Sequence, residues 1–379
     1  MKKYICLSLV VSLCFSLLHV SSYAKEGTLP EISAPSAILM EYSSGEIIYE
    51  KNPDEKLPLA SVTKVMTMLL AMEEIESGRM KYDDIITASA HAKSYGGSTI
   101  FLEEGEQMTV RDIIKGIAVA SGNDAAVAMG EHISGTEELF VNRMNSRAKE
   151  LGMNNTNFVN CNGLDAEGHY STARDIAIMS RELMKHKDIF EYTSIWMDSL
   201  RNGQFTLSNT NKLIRFYDGA TGLKTGSTSK AKFCISATAK RDNMHLISVI
   251  MAAETSKKRQ SDASTLLNYG FSAYEVEDVI EKNKEVDRLP VEKSKVDTVS
   301  VVTETDFNFL HKKTDNTKIE TEKKLKKIKA PVKKGDDAGT LSVIVNGKEK
   351  HKIRLICAND APKAGFALTF KNLLSEFVC

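Results

Sequence analysis

The sequence has 379 residues, 42% of them hydrophobic, and its 50 lysines and arginines are balanced by 50 aspartates and glutamates. The balance excludes recruitment of nucleic acid by a strong overall positive field, so partners must be selected by local sites. The hydrophobic content is sufficient for a buried core, and the length predicts two domains.

The N-terminus has the pattern of a secretory signal peptide. It begins with the basic sequence MKK, continues with an apolar stretch over residues 4–20, and reaches the small residues that signal peptidase requires at SYA, which ends at Ala24. We therefore predict a signal peptide over residues 1–24. A retained membrane anchor and a lipoprotein modified at Cys14 are the alternatives. All three interpretations predict export.

The next patterns predict a hairpin and then a block of helices. Residues 37–42 and 47–50 flank the polar sequence SSGE, as in a β-hairpin with a short turn. Residues 61–71 are mostly apolar and too many for a typical strand, so we predict a helix largely surrounded by protein. From residue 110 to residue 184 the patterns are helical, interrupted by glycines and by a polar loop at 160–165.

Strand patterns return at residues 221–228, 233–239 and 245–251, and a helical pattern follows at 261–269. Strands at both ends of the region, with helices between them, predict a single antiparallel sheet with an inserted helical block. This is an α+β fold in which an active site would lie where sheet and helices meet.

A second, β-rich domain is predicted from about residue 274. The composition shifts towards Lys, Glu, Val and Thr, residues 298–303 alternate, and Asn346-Gly347 is a hairpin signal. Seven lysines within residues 323–334 predict an exposed edge or loop, with contact to an anionic polymer as the alternative. In the C-terminal segment 363–379 one helical face is apolar, which predicts packing on the β domain or weak peripheral membrane contact. Its apolar residues are Phe366, Phe370, Leu373, Leu374 and Phe377.

The cysteines and histidines do not indicate a metal site. Cys161, Cys234, Cys357 and Cys379 follow the predicted signal peptide without CxxC or other metal-type spacing. We predict buried thiols rather than a disulfide framework or a zinc site, and we predict no metal and no cofactor.

The first motif with catalytic chemistry is S-x-x-K, at Ser61 and Lys64. Residues three apart on a helix share a face, so the hydroxyl and the amine can meet. A serine hydroxyl needs an adjacent base to become a nucleophile, and lysine becomes a base only when burial or nearby cations lower its pKa. Alone, the motif is equally typical of an ordinary helix start.

Two further motifs follow at characteristic distances. Ser121-Gly122-Asn123 lies in the connection between two helical patterns, from which side chains can project into a cleft. Lys224-Thr225-Gly226 lies in a strand pattern, where Gly226 would allow a ligand backbone to approach closely. The three motifs occur in the order that is typical of penicillin-binding proteins and class A β-lactamases.

With these motifs in place, the sequence resembles the low-molecular-mass penicillin-binding proteins that act as serine D-alanyl-D-alanine carboxypeptidases. The resemblance covers about residues 30–272, and the trailing β domain with its terminal amphipathic segment is similar too. The segments that carry it are LASVTKVMT at 59–67, ASGNDAA at 120–126, HYSTARD at 169–175, NTNKL at 209–213 and GLKTGST at 222–228.

The resemblance implies three catalytic residues. Ser61 would attack the carbonyl between two D-alanines to form an acyl-enzyme, with Lys64 as the base that accepts its proton. Ser121 would relay a proton towards the departing D-alanine. The backbone N–H groups of Ser61 and Ser227 would bind the tetrahedral oxyanion.

The resemblance also implies six substrate-binding residues. Asn123 would hydrogen-bond the substrate amide, and Lys224 would keep the pocket positive and shift the proton affinities of its neighbours. Thr225, Gly226 and Ser227 would meet the end of the substrate with its terminal carboxylate. Arg259 would lie near that carboxylate, although a lone surface arginine is nearly as good an interpretation. Some relatives carry histidine where this chain has Ser227.

The expected substrate is a peptidoglycan pentapeptide ending in D-Ala-D-Ala, with β-lactams as covalent inhibitors, at the outer face of the cytoplasmic membrane or in the cell wall. A DD-endopeptidase and a β-lactamase are alternatives with the same acyl-serine chemistry. A β-lactamase would need a deacylating glutamate; Glu150 and Asn154 have the spacing, but Glu150 fits an exposed helix end. A noncatalytic wall-binding scaffold is the remaining alternative.

The predicted organisation has four segments. They are a signal peptide at 1–24, a serine DD-peptidase domain at 25–273, a β-rich domain at 274–362 and an amphipathic C-terminal segment at 363–379.

Overall fold

A computed structural model describes residues 29–365 of the chain. The predicted signal peptide and residues 366–379 of the predicted C-terminal segment, with Cys379, lie outside the described residues. The helices of the first region follow a 3-10 turn at Ala60–Thr63. They are α1 Lys64–Glu76, α2 Ala90–Lys93, α3 Val110–Ala118, α4 Asn123–Ser134, α5 Glu137–Glu150, α6 Ala173–Leu183, α7 Phe190–Thr193, α8 Leu213–Phe216 and α9 Ser256–Ala273.

The strands of the same region form one large sheet and two small two-stranded sheets. They are β1 Ser36–Glu41, β2 Ile47–Lys51, β3 Ile85–Thr87, β4 Gln107–Thr109, β5 Met197–Leu200, β6 Phe205–Ser208, β7 Ala220–Thr228, β8 Lys232–Arg241 and β9 Met244–Ala253. The large sheet is antiparallel throughout, in the order β2-β1-β9-β8-β7. Its two ends in space come from chain segments more than 150 residues apart, so the helical block is inserted between them, as predicted.

Helices cover both faces of this sheet. In β9 nearly every residue is buried, which is typical of a central strand that is covered on both sides. One face of the sheet packs against α9, and the other packs against α6 and the helical block around α1. Helix α1 is itself buried over most of its circumference, and Phe140 and Phe158 fill the block around it.

The C-terminal β-rich domain has its own core. Its strands are β10 Tyr274–Ile280, β11 Glu285–Glu292, β12 Thr298–Thr303, β13 Phe307–Lys312, β14 Ile319–Leu325, β15 Ile328–Lys329, β16 Asp337–Val345 and β17 Lys348–Cys357. Six of them form a sheet in the order β14-β16-β17-β12-β11-β15. Most of the lysine-rich stretch is exposed, as expected of an edge or loop, and Lys323 and Lys324 lie on the edge strand β14.

The structure confirms the α+β class and refines two helices. The helix expected at 61–71 begins at Lys64 and continues to Glu76, because Ala60 has a φ of +50° and the chain enters the helix through the 3-10 turn. The helix expected at 261–269 was predicted too short: it spans Ser256–Ala273. The first turns of this helix are polar, so the sequence shows no apolar helical period there.

The cysteines and Glu150 lie where the sequence predicts them within the described residues. Cys161, Cys234 and Cys357 are free and buried, as predicted. Glu150 ends α5 with an exposed side chain that pairs with Arg147 at 3.0 Å, as expected of a helix end. Between residues 29 and 365, no helix combines the length and the apolar character needed to cross a membrane.

The close packing of α9 on the sheet predicts the effect of a small substitution. A Cβ added at Gly270 would lie 2.5 Å from Leu246 Cδ1 and 3.0 Å from Leu39 Cδ2. Overpacking against these buried leucines should cost about 2–3 kcal/mol, of which the helix propensity of alanine returns about 1 kcal/mol, so Gly270→Ala should lower the free energy of unfolding by about 1–2 kcal/mol, measured by urea denaturation. Gly96→Ala is the control, because a Cβ there would meet nothing within 4 Å. Equal stability of the two variants would contradict this account.

Candidate active site

The structure places Ser61 and Lys64 in direct contact at the start of α1. Lys64 Nζ donates to Ser61 Oγ at 2.9 Å, to Asn123 Oδ1 at 2.7 Å and to the Asn162 carbonyl at 2.6 Å. These three acceptors match the three protons of an ammonium group. The side chain of Lys64 is completely buried, so it is held in one position by partners from three separate parts of the chain.

Burial lowers the pKa of Lys64 to about 7, against the opposing effects of Cys161 and Asp124. A buried ammonium loses its hydration, and this disfavours the charged form. Near neutral pH a substantial fraction of Lys64 is thus a free amine 2.9 Å from the Ser61 hydroxyl. Such a pair has the geometry and the proton affinity of a nucleophile with its base.

The Ser121-Gly122-Asn123 turn faces the same point from the helical block. Ser121 has a φ of +64°, an uncommon conformation for a non-glycine residue, and is 4% exposed. Asn123 begins α4, and its side chain is used at both ends: Oδ1 accepts from Lys64 and Nδ2 donates to the Gly96 carbonyl at 2.7 Å. The residue thereby links Lys64 to the loop that contains Gly96.

A buried carboxylate fixes this loop against α4. Asp124 accepts hydrogen bonds from the backbone N–H groups of Ile100 at 3.1 Å, Leu102 at 3.0 Å and Ala125 at 2.8 Å. It lies in the first turn of the helix, where a negative charge is favourable. Asp124 was not singled out from the sequence, although its position beside the second motif is a signal in retrospect.

Strand β7 supplies the third wall. Lys224 and Thr225 are buried, whereas Ser227 is exposed. A Cβ added at Gly226 would lie 2.7 Å from the Ser61 nitrogen and 2.9 Å from Ala60 Cβ, so glycine is required here for the strand to touch the Ser61 turn. The sequence had linked this glycine to the approach of a ligand; the close approach observed is within the protein.

Three buried basic side chains lie close to strand β7. Burial and the charges of Lys64 and Arg259 hold the pKa of Lys224 well below the usual range of lysine. The Lys224 ammonium donates to the Thr225 carbonyl at 2.9 Å. Thr225 Oγ1 donates to Thr210 Oγ1 at 2.7 Å, which adds a second hydroxyl to the strand edge.

Arg259 is not a surface arginine, so that interpretation was wrong. It is 5% exposed in α9, and burial lowers its pKa to about 10. Its guanidinium donates to the Ser256 hydroxyl at 3.2 Å and lies 5.8 Å from the ring centre of Phe233. Its Nε is buried without a hydrogen-bond partner.

These elements border a cavity of about 160 Å³ that is open to solvent, and seven of its ten lining residues carry a hydroxyl group. Of the residues predicted for the site, Ser61, Ser121, Thr225, Gly226, Ser227 and Arg259 line it. Lys64, Asn123 and Lys224 are not among the lining residues, and all three are buried. The lining residues that the sequence did not single out are Ser98, Thr210, Phe233 and Ser256.

Comparison with known proteins identifies the family of the chain. The D-alanyl-D-alanine carboxypeptidase family matches residues 23–255, and the family described as penicillin-binding protein 5, C-terminal domain, matches residues 274–363. The chain belongs to the D-alanyl-D-alanine carboxypeptidase family. Only Thr210 among the four additional lining residues falls in a segment that had carried the resemblance, so the other three had no signal in the sequence.

Individual relatives of the D-alanyl-D-alanine carboxypeptidase family extend over most of the chain. The chain is similar to the D-alanyl-D-alanine carboxypeptidase DacF of Bacillus subtilis, with 44% identity over 91% of this chain and 90% of the relative. Penicillin-binding protein 5 of Haemophilus influenzae superposes with a TM-score of 0.74 and is 32% identical. The match covers 89% of this chain and 100% of the Haemophilus chain. Penicillin-binding protein D2 of Listeria monocytogenes, solved in an ampicillin-bound form, superposes with a TM-score of 0.56 and is 32% identical. That match covers 64% of this chain and 100% of the Listeria chain.

No cluster of three or more His, Cys, Asp or Glu side chains within residues 29–365 could hold a metal ion.

Removing the charge of Asp124 should loosen this site measurably. In Asp124→Asn an amide N–H₂ would face backbone N–H donors, so the free energy of unfolding should fall by about 1–3 kcal/mol. Asp112→Asn is the matched control in the first turn of α3, where a partly exposed carboxylate pairs with Lys115 and its loss should cost at most about 1 kcal/mol. Urea denaturation of both variants measures the difference; similar losses would count against an anchoring role.

Proposed function

We propose that this chain is a serine carboxypeptidase that removes the terminal D-alanine from peptidoglycan stem peptides through an acyl-enzyme on Ser61. Membership of the D-alanyl-D-alanine carboxypeptidase family supports the reaction class. The observation that carries the assignment of residues is the contact of 2.9 Å between Ser61 Oγ and the buried Lys64 amine, whose pKa is about 7.

In the proposed acylation, Ser61 Oγ attacks the carbonyl carbon of the penultimate D-alanine while neutral Lys64 accepts the hydroxyl proton. The oxyanion forms between the N–H groups of Ser61 and Ser227, a type of contact worth about 3–4 kcal/mol of barrier. The C–N bond then breaks, and the proton that Lys64 accepted passes through Ser121 to the departing amine, which leaves Lys64 neutral again. In deacylation a water molecule attacks the ester and its proton goes to Lys64. The bond between the acyl carbon and Ser61 Oγ then breaks, Lys64 returns the proton to Ser61 Oγ, and the shortened peptide is released.

The proposed binding mode uses the cationic side of the cavity. Thr225, Ser227 and Arg259 would meet the terminal carboxylate, and the place of Arg259 among the lining residues supports a guanidinium within reach of an anion. Asn123 would contact the substrate amide through the hydrogen-bonding capacity left after Lys64 and Gly96. Lys224 would raise the local positive potential.

The alternative functions remain distinguishable by chemistry. A DD-endopeptidase would use the same acyl-enzyme on a cross-link instead of a terminal D-alanine. A β-lactamase is disfavoured because Glu150 is exposed and paired with Arg147. A noncatalytic scaffold is disfavoured because Ser61 and Lys64 retain a reactive arrangement.

We also propose the setting in which the enzyme works. The signal-peptide pattern at 1–24 supports export to the outer face of the cytoplasmic membrane or the cell wall, where peptidoglycan lies. The matched families support division into a peptidase domain at 25–273 and a β domain at 274–362. The apolar face of segment 363–379 would then provide weak peripheral membrane contact.

The decisive test is mass spectrometry of the chain without residues 1–24 after incubation with benzylpenicillin, and separately with diacetyl-Lys-D-Ala-D-Ala. We expect a penicilloyl adduct on Ser61 and released D-alanine, and neither with Ser61→Ala. Folded protein that gives neither product would overturn the proposal. Rapid penicillin turnover without peptide cleavage would favour a β-lactamase, and cleavage confined to cross-linked dimers would favour an endopeptidase.

The pKa of Lys64 predicts the pH dependence of acylation. Because only the neutral amine accepts the Ser61 proton, the second-order rate constant for acylation should rise about fivefold from pH 6 to pH 7 and level off above pH 8. Stopped-flow acylation by benzylpenicillin measures this profile, with intrinsic fluorescence as the control for an intact fold. A flat profile from pH 5 to pH 8 would contradict Lys64 as the base.

A further inference from the structure

The peptide unit just before Ser61 is held in an unusual conformation. Ala60 has a φ of +50° and is 1% exposed. A Cβ added at Gly163 would lie 1.9 Å from the Ala60 carbonyl oxygen, and one added at Gly226 would lie 2.9 Å from Ala60 Cβ. Such a turn persists only where its surroundings determine it, and two glycines allow the neighbouring segments to close on it.

A chain of hydrogen bonds ends at the same carbonyl group. The Val159 N–H donates to His169 Nδ1 at 3.0 Å, so that Nδ1 is the acceptor and Nε2 carries the proton of the neutral ring. His169 Nε2 lies 2.8 Å from Thr63 Oγ1 and donates to it. Thr63 Oγ1 in turn donates to the Ala60 carbonyl at 2.8 Å. Each group donates one hydrogen bond, so the donor and the acceptor of every bond in the series are determined.

The surroundings of His169 keep the ring in this form. The side chain is 5% exposed, and Phe158 packs against its ring with a centroid distance of 6.0 Å. Burial lowers the pKa of His169 to about 4, and the charge of Asp165 opposes this only in part. The imidazole is therefore neutral at the pH of the reaction.

The hydrogen bonds from His169 and Thr63 act on the peptide unit that carries the Ser61 N–H. The Ala60 carbonyl and the Ser61 N–H belong to one planar peptide unit, in which C=O and N–H point in opposite directions. A hydrogen bond that fixes the carbonyl therefore fixes the direction of the N–H. It also polarises the peptide unit and strengthens the N–H as a donor.

We propose that Thr63 and His169 are positioning residues that aim the Ser61 N–H at the oxyanion. The inference rests on the proposed function, since it concerns the tetrahedral intermediate formed on Ser61. Neither side chain lines the cavity, and both are buried behind the Ser61 turn. Their effect should fall on the transition state, where the oxyanion exists, and not on binding of the planar ground-state peptide.

The test is the substitution Thr63→Val, which keeps the shape of the side chain and removes its hydroxyl. We expect kcat for D-alanine release to fall about 10- to 100-fold with KM changed less than about threefold. Thr63→Ser restores the hydroxyl and should recover kcat to within about threefold of the original chain. His169→Gln should lower kcat by the same mechanism, and the double variant should be no slower than the slower single variant.

The chain offers a matched control in Thr303. This buried hydroxyl donates to the Glu281 carbonyl at 2.5 Å and accepts from the Lys284 N–H at 3.1 Å, the same pattern in the β-rich domain. Thr303→Val therefore reproduces the loss of a buried hydroxyl and should leave kcat unchanged. A second readout is a boronic acid analogue of the D-alanyl substrate, whose inhibition constant should rise in Thr63→Val by the factor that kcat/KM loses.

Three results would overturn the positioning role. They are an unchanged kcat in folded Thr63→Val, a loss of kcat that Thr63→Ser does not recover, and a boronate affinity that does not follow kcat/KM. Failure of the proposed function is a separate result, because the unaltered chain would then form no adduct on Ser61.

Discussion

The burial of the Lys64 ammonium constrains every element around it. An ion removed from water is costly unless each of its protons finds an acceptor, and Lys64 obtains its acceptors from Ser61, Asn123 and Asn162. Those residues come from the first turn, the helical block and the 160–165 loop. The three segments must therefore converge before the lysine can be buried, so the assembled fold and the lowered pKa of Lys64 are two consequences of one arrangement.

Close convergence requires small residues at the contact points. Gly163 and Gly226 press on the Ala60 turn from two segments, and a side chain at either position would collide with backbone atoms. Positive φ angles occur at Ala60, which precedes Ser61, and at Ser121 itself, and both serines line the cavity. The strain is thus located where the positions of these two hydroxyls are set, and it is sustained by the packed core around α1.

The sequence predicts the parts of this site that depend on side-chain chemistry. Strand and helix periodicity locate the sheet and the inserted block, and the spacing of the three motifs identifies Ser61, Lys64 and Lys224. It does not identify Asn162, which acts through its backbone carbonyl and so could be any residue. Nor does it predict the burial of Arg259 against Phe233, because that contact depends on how α9 lies on β8.

The same arrangement determines which ligands the cavity favours. Lys64, Lys224 and Arg259 are all buried at or next to it, and no acidic side chain of the described chain is among its lining residues. Hydroxyl groups line most of the surface and can turn either a proton or a lone pair towards a ligand. A carboxylate beside a reactive carbonyl fits both features, since the anion would pair with the basic groups, Arg259 among them, while the carbonyl would lie near Ser61. The terminal D-alanine of a stem peptide and the ring of a β-lactam both present that pair of groups, so electrostatics alone does not separate substrate from inhibitor. The two differ in the departing amine, which leaves the peptide as free D-alanine but stays tethered to the acyl group of a β-lactam.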